Sequence, residues 1–540
     1  MKIPNCVFGT FLFLGLQFSL NGVAQELPNI IWITSEDNSP LLGCYGDDYA
    51  ITPHIDSLSR EGFLYTHAYA NAPVCAPARN TIITGVYANS SGNQHMRSNY
   101  NKSKKVIPFP LLLRQKGYYC TNNNKKDYNV AGIGSEIWDE SSNKAHYKNR
   151  KPGQSFFAVF NIMTSHESRV HEPPKENEKT HDAARVKLPP YHPDTQEIRE
   201  DWAHYYDQVT LMDKEVGTIL AELVASGEAE NTIVIYYADH GGVIARSKRY
   251  VYETGTQVPL VIRIPDKYQA LWPNRNKGTA VYRLVSFVDL APTTLSLADI
   301  AVPDFIQGHA FLGKQQAAEQ DYAYMFRGRM DERPDMSRSV RDTAYRYIRN
   351  YMPHRIYWQH INYLWKAQST RSWENEYKEG RCDEIQQRFW EAKPVEELYH
   401  TATDPWEVDN LVENPAYQKV LERMRNANQN WMADIYDAGL IPEIAYQSVQ
   451  GDSALFDYMR SKAVDIRSIV DATAATMLDA SAEFLNKLLN SPSATLRYWG
   501  ALGLVVKGNE AAPFKNQLVE LLNDESSAVA IQAAEALYKS

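Results

Sequence analysis

The chain has 540 residues, 44% of them hydrophobic and 22% charged, with 27 glycines and 27 prolines. This is the make-up of a globular protein with several layers of core, and it excludes disorder, collagen and a disulfide miniprotein. The formal charge of −9 comes without any long Lys/Arg run, so nucleic acid is not an expected partner, and an anionic ligand must be met locally by a few cations or a metal.

Met1-Lys2, a mostly apolar stretch from Val7 to Leu20, and Gly22-Val23-Ala24 have the three-part form of a secretory signal peptide, residues 1–24, with cleavage near Ala24. A membrane anchor needs about 20 apolar residues, more than this stretch offers. No integral anchor is expected, and the mature chain is expected to be periplasmic or secreted. Beyond the signal lie Cys44, Cys75, Cys120 and Cys382, too few for a disulfide scaffold in a chain of this length.

Asn29-Ile-Ile-Trp-Ile-Thr34 is a continuous apolar run of the kind buried on both faces of a parallel sheet, and it ends in Ser35-Glu36-Asp37-Asn38. Ser155 to Asn161 is a second such run, ending near His166; Thr232 to Ala238 is a third, ending in Asp239-His240. Helical patterns at Ile55 to Glu61 and Trp202 to Ser226 lie between them. Alternation of strand and helix predicts a doubly wound α/β sheet over residues 25–320, in which ligands gather at the carboxyl ends of the strands. Three strands ending in Glu-Asp, His and Asp-His favour a metal or anion site there.

Beyond Asp321 the sequence turns Arg- and aromatic-rich, and Tyr345-Arg-Tyr-Ile-Arg-Asn-Tyr351 suggests a strand of a smaller, antiparallel sheet over residues 321–442. From residue 443 the chain is Ala/Leu-rich. Leu488-Leu-Asn-Ser-Pro-Ser-Ala-Thr-Leu496 returns 33 residues later as Leu521-Leu-Asn-Asp-Glu-Ser-Ser-Ala-Val529, which suits either a HEAT-like helix-pair repeat or a plain helical cap. Two partial copies are fewer than a solenoid needs, so the tail is expected to pack on the body or to continue further.

Residues 73 to 85 read Pro-Val-Cys75-Ala-Pro77-Ala-Arg79-Asn-Thr-Ile-Ile-Thr84-Gly85. Pro77 suits the first turn of a helix, which sets Cys75 at a helix N-terminus, where backbone N–H groups and the dipole favour an anion. Arg79 can steady the same turn by a charge-assisted hydrogen bond. Cys-Ala-Pro-Ala-Arg with Thr84-Gly85 resembles the C-x-P-x-R-x-x-x-x-T-G signature of type I sulfatases, whose Cys is oxidised to formylglycine. Gly43-Cys-Tyr-Gly46, Thr52-Pro-His-Ile-Asp56, Ala238-Asp-His-Gly241, Val258-Pro-Leu-Val-Ile-Arg263, Asp289-Leu-Ala-Pro-Thr293 and Glu397-Leu-Tyr-His-Thr-Ala-Thr-Asp-Pro405 follow the same family in order, over roughly residues 27 to 411. The texture is most similar to the heparan N-sulfatase-like branch.

The resemblance implies an alkaline-phosphatase-like fold, a calcium ion, and Cys75 matured by a sulfatase-maturing enzyme. It assigns the metal to Glu36, Asp37, Asp239 and His240 together with residue 75, with Glu36 standing where the family has Asp. It assigns sulfate binding and catalysis to Arg79, Lys125, His166 and Lys248. The family's G-K-W-H motif falls at Lys125, but Asp127 stands at its His, so the base is expected to be Asp127 or His95. Hydrated formylglycine would attack sulfur with one hydroxyl, and the second would later lose a proton as sulfate leaves; His166 or Lys248 would protonate the leaving group. Arg329, Asp331, Arg333, Arg338 and His354, in the predicted small sheet region, would read a uronate or further sulfates of a glycosaminoglycan-like saccharide, or else form surface salt bridges. The competing readings are a phosphoester or phosphonate monoester hydrolase of the same superfamily and a non-catalytic glycan-binding protein.

Overall fold

The computed structural model describes residues 27–451, 453–478 and 480–540; the expected signal peptide lies outside the described residues. Eight strands, β1 (Asn29–Ser35), β2 (Phe63–Tyr69), β3 (Tyr119–Asn123), β4 (Glu140–Ser141), β5 (Phe156–Ile162), β6 (Thr232–Ala238), β7 (Leu260–Arg263) and β8 (Thr279–Ser286), form one sheet. Their order is β4-β3-β5-β1-β6-β7-β2-β8. The three expected strands are thus the adjacent central ones. Every residue of β1 and β6 is buried, which is why both read as unbroken apolar runs. Ser35 is in parallel register with both Ile162 and Ala238, so the segments after β1, β5 and β6 leave the sheet side by side.

The sheet is mixed rather than wholly parallel, because β7 runs antiparallel to both β6 and β2. The connection from β6 to β7 carries only the four-residue helix Glu253–Thr256, so the chain returns from the edge at which β6 ended instead of crossing back over the sheet. The long helix Gln196–Ala225 begins six residues before its apolar pattern does. The Thr195 side chain caps it at Ile198 N–H, and its first turns are almost wholly polar.

β9 (Ala323–Arg327), β10 (Ser337–Arg341), β11 (Tyr345–Asn350) and β12 (Glu396–His400) form a second, antiparallel sheet in the order β12-β11-β10-β9. Val340, Tyr347 and Leu398 pack from one face onto Leu421 and Met424 of the helix Gln418–Asp434. On the other face, Arg346 is wholly buried against Glu253 and Glu407, tying the small sheet to the large one.

The tail is helical and packs on the body. Helices Ala482–Leu489 and Ala494–Lys507 make one pair and Lys515–Leu521 and Ser527–Lys539 the next, matching the sequence repeat. Trp499 shares a core with Ala78, Phe326, Tyr351 and Trp431, and its indole N–H donates to the Leu440 carbonyl at 2.8 Å. Among the described residues no helix is long and apolar enough to cross a membrane.

Candidate active site

Cys75 opens the helix Cys75–Thr84, with Val74 before it in extended backbone and Pro77 in the first turn, as the sequence predicts. All ten helical residues are buried, and Cys75 is 4% exposed. Gly85 ends the helix at φ 67° and donates its N–H to Thr81. A side chain there would also press on Ile306 and Ala291 at about 3 Å, so Gly85 is a backbone requirement.

The residues that follow β1, β5 and β6 converge beside this helix start. Glu36, Asp37, Asp239 and His240 are all wholly buried. The Glu36 carboxylate pairs with the Arg79 guanidinium and with Lys125 Nζ at 2.5 Å. Arg79 Nε also donates to Asp239 at 3.2 Å. Asp37 accepts from Lys248 Nζ at 2.6 Å and from the Glu167 backbone N–H at 2.7 Å. Burial opposes ionisation of Asp37, but Lys248, His240 and His166 hold its carboxyl well below the usual range. Burial likewise opposes the Lys248 ammonium and is outweighed by Asp37 and Glu167, so its pKa is raised.

Asp37 Oδ1 and His240 Nε2 stand 2.7 Å apart, yet neither makes an aligned hydrogen bond. Two buried polar atoms are left without the partner such atoms require. Ligand atoms of Asp37, Asp239 and His240 all lie within 4.8 Å of one another, and Glu36, Asp37 and His166 form an overlapping group of the same tightness. Buried carboxylates around one imidazole, with orphaned atoms between them, fit a divalent cation.

Above this cluster a cleft of about 310 Å³ is bordered by Cys75, His166, Lys248, Arg249, Asp331 and Lys366, among others. His166 caps a short helix, its Nδ1 accepting the Ser168 N–H at 3.2 Å, so the neutral ring carries its proton on Nε2. Glu167 grips Arg249 with both oxygens, at 2.8 and 3.1 Å, and lies 3.3 Å from Lys248. Against the burial that raises it, Arg249 and Lys248 hold the Glu167 carboxyl at about 2.

The structure therefore brings together Cys75, Arg79, Lys125, His166, Lys248 and the four expected metal residues, and it separates several others from them. His95 is not at the cleft. Its Nδ1 accepts the Arg329 N–H at 3.0 Å and its Nε2 meets the Gln94 amide, so both ring nitrogens are spent on the fold. Asp127, in left-handed backbone at φ 42°, does not border the cleft either. Of the five residues expected to read the saccharide, only Asp331 borders the cleft. Arg329 is chelated by Glu443 at 2.7 and 2.9 Å, and Arg338 is wholly buried on Asp437 at 2.6 and 2.9 Å. His354 lies 3.8 Å from Glu535 of the last helix; with Arg329 and Arg338 it lines a separate hollow between small sheet and tail. Arg333 donates to the His360 carbonyl.

Sequence reasoning missed Glu167 and Arg249, each the immediate neighbour of a residue it found. It also missed Arg97, Asn362 and Tyr363, which reach the cleft from loops without periodicity, and Lys366, which ends the single helical turn Leu364–Lys366.

Residues 28–300 match the family model described as Sulfatase, and residues 244–392 match N-sulphoglucosamine sulphohydrolase, C-terminal. An ulvan-active sulfatase of Formosa agariphila is 35% identical over 465 residues, covering 77% of this chain and 77% of its own length. The N-sulphoglucosamine sulphohydrolase of Homo sapiens is 24% identical, over 77% of this chain and 92% of its own. A solved structure described as a complex with its substrate D-glucosamine-2-N,6-O-disulfate is similar in fold, with a TM-score of 0.54 and 18% identity over 76% of this chain and 98% of that one. The helix start at Cys75 and the residues that converge on it thus sit in a chain matched over most of its length, and the chain belongs to the sulfatase family, the hydrolases of sulfate esters.

Proposed function

We propose that the chain is an exported sulfatase that removes O-sulfate or N-sulfate groups from glycosaminoglycan-like sulfated glycans. In this reading residue 75 is oxidised to formylglycine by a sulfatase-maturing enzyme, and calcium is held by Asp37, Asp239 and His240 with Glu36 beside them. The observation that carries the reading is the position of Cys75, buried at a helix start and opening on a cleft between His166 and Lys248. The glycan assignment takes support from relatives named for ulvan and N-sulphoglucosamine.

Formylglycine would supply the attacking oxygen, and calcium, when bound, would supply positive charge. The chain's own residues do the rest. Lys248 reaches the cleft from its anchor on Asp37, bringing a fixed cation to an approaching sulfate. Arg79 and Lys125 neutralise Glu36, so that acid does not repel the anion. His166, oriented through Nδ1, presents the Nε2 proton to the departing oxygen or nitrogen.

The test is sulfate release from a panel of defined O- and N-sulfated saccharides, with an aryl phosphate alongside, by protein that carries the aldehyde at residue 75. Release from sulfated saccharides well above phosphate cleavage is expected, lost by about a thousandfold or more in Cys75→Ala. Preference for the phosphate ester would overturn the assignment, as would a full rate in Cys75→Ala. Tight saccharide binding without sulfate release would favour a glycan-binding protein instead.

A further inference from the structure

Among the described residues, none of the tail from 443 onward borders the cleft, yet the start of the tail touches two segments that do. Met96 and Arg97 reach the cleft on one segment, Asp331 and Glu332 on the other. The segments are bonded to each other. The Met96 N–H donates to the Arg329 carbonyl at 2.9 Å, and the Arg329 N–H to His95 Nδ1 at 3.0 Å. Gly328 permits the approach, since a Cβ there would lie 2.9 Å from the Gln94 carbonyl oxygen and 3.0 Å from His95 Nδ1.

From the tail, Glu443 takes the Arg329 guanidinium with both oxygens, at 2.7 and 2.9 Å, and Nη1 of the same guanidinium donates to the Asp331 carbonyl. Tyr446 is wholly buried, and its hydroxyl meets the Gln94 amide. Its ring centroid lies 5.7 Å from that of His95 and 5.1 Å from that of Tyr100. Residues 94–100 thus wrap one tail ring, and residues 329–331 hang on one tail carboxylate.

Both segments need holding. Arg97 stands at φ 61° and Asp331 at φ 46°, in the left-handed region that a residue with a side chain keeps where its surroundings impose it. The two face each other, Arg97 Nε lying 3.9 Å from the Asp331 carboxylate, which also accepts from Arg249 at 3.3 Å.

We propose that Glu443 and Tyr446 are positioning residues: the tail clamps these two segments and so sets the cleft wall of Arg97 and Asp331 against the part of the substrate beyond its sulfate group. The inference rests on the sulfatase reading of the cleft and gives the tail a part in it. Lys248 and His166 are taken by the sulfate end, so the clamp acts on binding of the remainder and not on the chemical step.

The test joins two measurements on the full chain. The first is hydrogen–deuterium exchange, which needs no turnover. In Glu443→Ala the peptides spanning 94–98 and 329–333 are expected to exchange about tenfold faster while the peptide spanning 75–84 is unchanged, which a general loss of stability would not produce. Tyr446→Phe, which removes only the hydroxyl, should speed exchange over 94–98 alone. The second is sulfate release from the best-cleaved saccharide of the panel. Glu443→Ala should raise KM about tenfold with kcat little changed, and inhibition by inorganic sulfate, which fills only the sulfate end, should stay as it was. The double variant Glu443→Ala/Arg329→Met should match the worse single variant, because both break one link. Unchanged exchange in Glu443→Ala, a fall in kcat with KM unaltered, or losses that add in the double variant would overturn the proposal. No sulfate release by the unsubstituted chain would count against the sulfatase reading instead, and exchange would then decide the clamp by itself.

Discussion

Glu36 is held by two cations, Arg79 and Lys125, whereas Asp37 gives one oxygen to Lys248 and leaves the other facing His240. Adjacent acids thus differ in their surroundings: one is taken up by two cations, and the other keeps an oxygen that the proposed site would offer to the metal. The sequence marks both as strand-end acids and cannot tell them apart, because the difference lies in which distant cation reaches each. The same holds for histidines. His166 and His95 both stand in loops near catalytic motifs, but His95 is walled in by Gln94, Arg329 and Tyr446, and burial pushes it down to about 4. His192 is a further buried ring, accepting the Trp202 indole N–H at Nδ1 and facing the Ala245 carbonyl at Nε2, both at 3.1 Å. Burial lowers it from 6.5 to about 3. The unfolded chain therefore binds a proton below pH 6.5 that the folded chain refuses until about pH 3, so this group's contribution to stability is lost as pH falls through that window. His192→Gln should flatten the slope of unfolding free energy against pH there by about 1.4 kcal/mol per pH unit. Denaturant melts at several pH values would show it, and an unchanged slope would refute it.

At the scale of elements, β1, β5 and β6 were legible because a strand buried on both faces must be apolar throughout, and the helix at Cys75 because Pro77 and Gly85 punctuate it. β7 was found only through the family resemblance of Val258 to Arg263, and its antiparallel direction was not found at all, since that depends on a connection that stays at one edge. Nor was the role of the arginines in the small sheet. Alternation with Tyr and Ile suggests a strand whose Arg face is wet, whereas Arg338 and Arg346 are wholly buried on acids from other elements. A buried guanidinium fixed to a carboxylate is costly to break, because the partner is left charged and unpaired. Arg338→Met should cost about 3–5 kcal/mol in urea unfolding by stranding Asp437, and the double variant Arg338→Met/Asp437→Asn should recover a good part of that. Additive losses in the double variant would show that the pair is not coupled.

For the whole molecule, the repeat in the tail was readable and packing on the body was one of its two expected fates, but where it docks was not, because apolar helix faces do not name their partner. The core around Trp499 includes Ala78 from the helix that Cys75 opens and Phe326 from β9. The tail and the catalytic body should therefore unfold together. Trp499→Ala should lower the midpoint of one calorimetric transition, at a cost of about 3–5 kcal/mol, rather than split off a separate tail transition. Two peaks, with only one moved by the substitution, would mean that the tail is an independent unit. The shared core also packs on the helix that Cys75 opens. The most direct measurement is mass spectrometry of the peptide spanning residues 71–85 from active protein made with a maturing enzyme, compared with its sulfate-release rate. An aldehyde in place of the thiol, in a fraction that rises in proportion to the rate, is expected. Full activity in protein whose residue 75 retains its sulfur would contradict it.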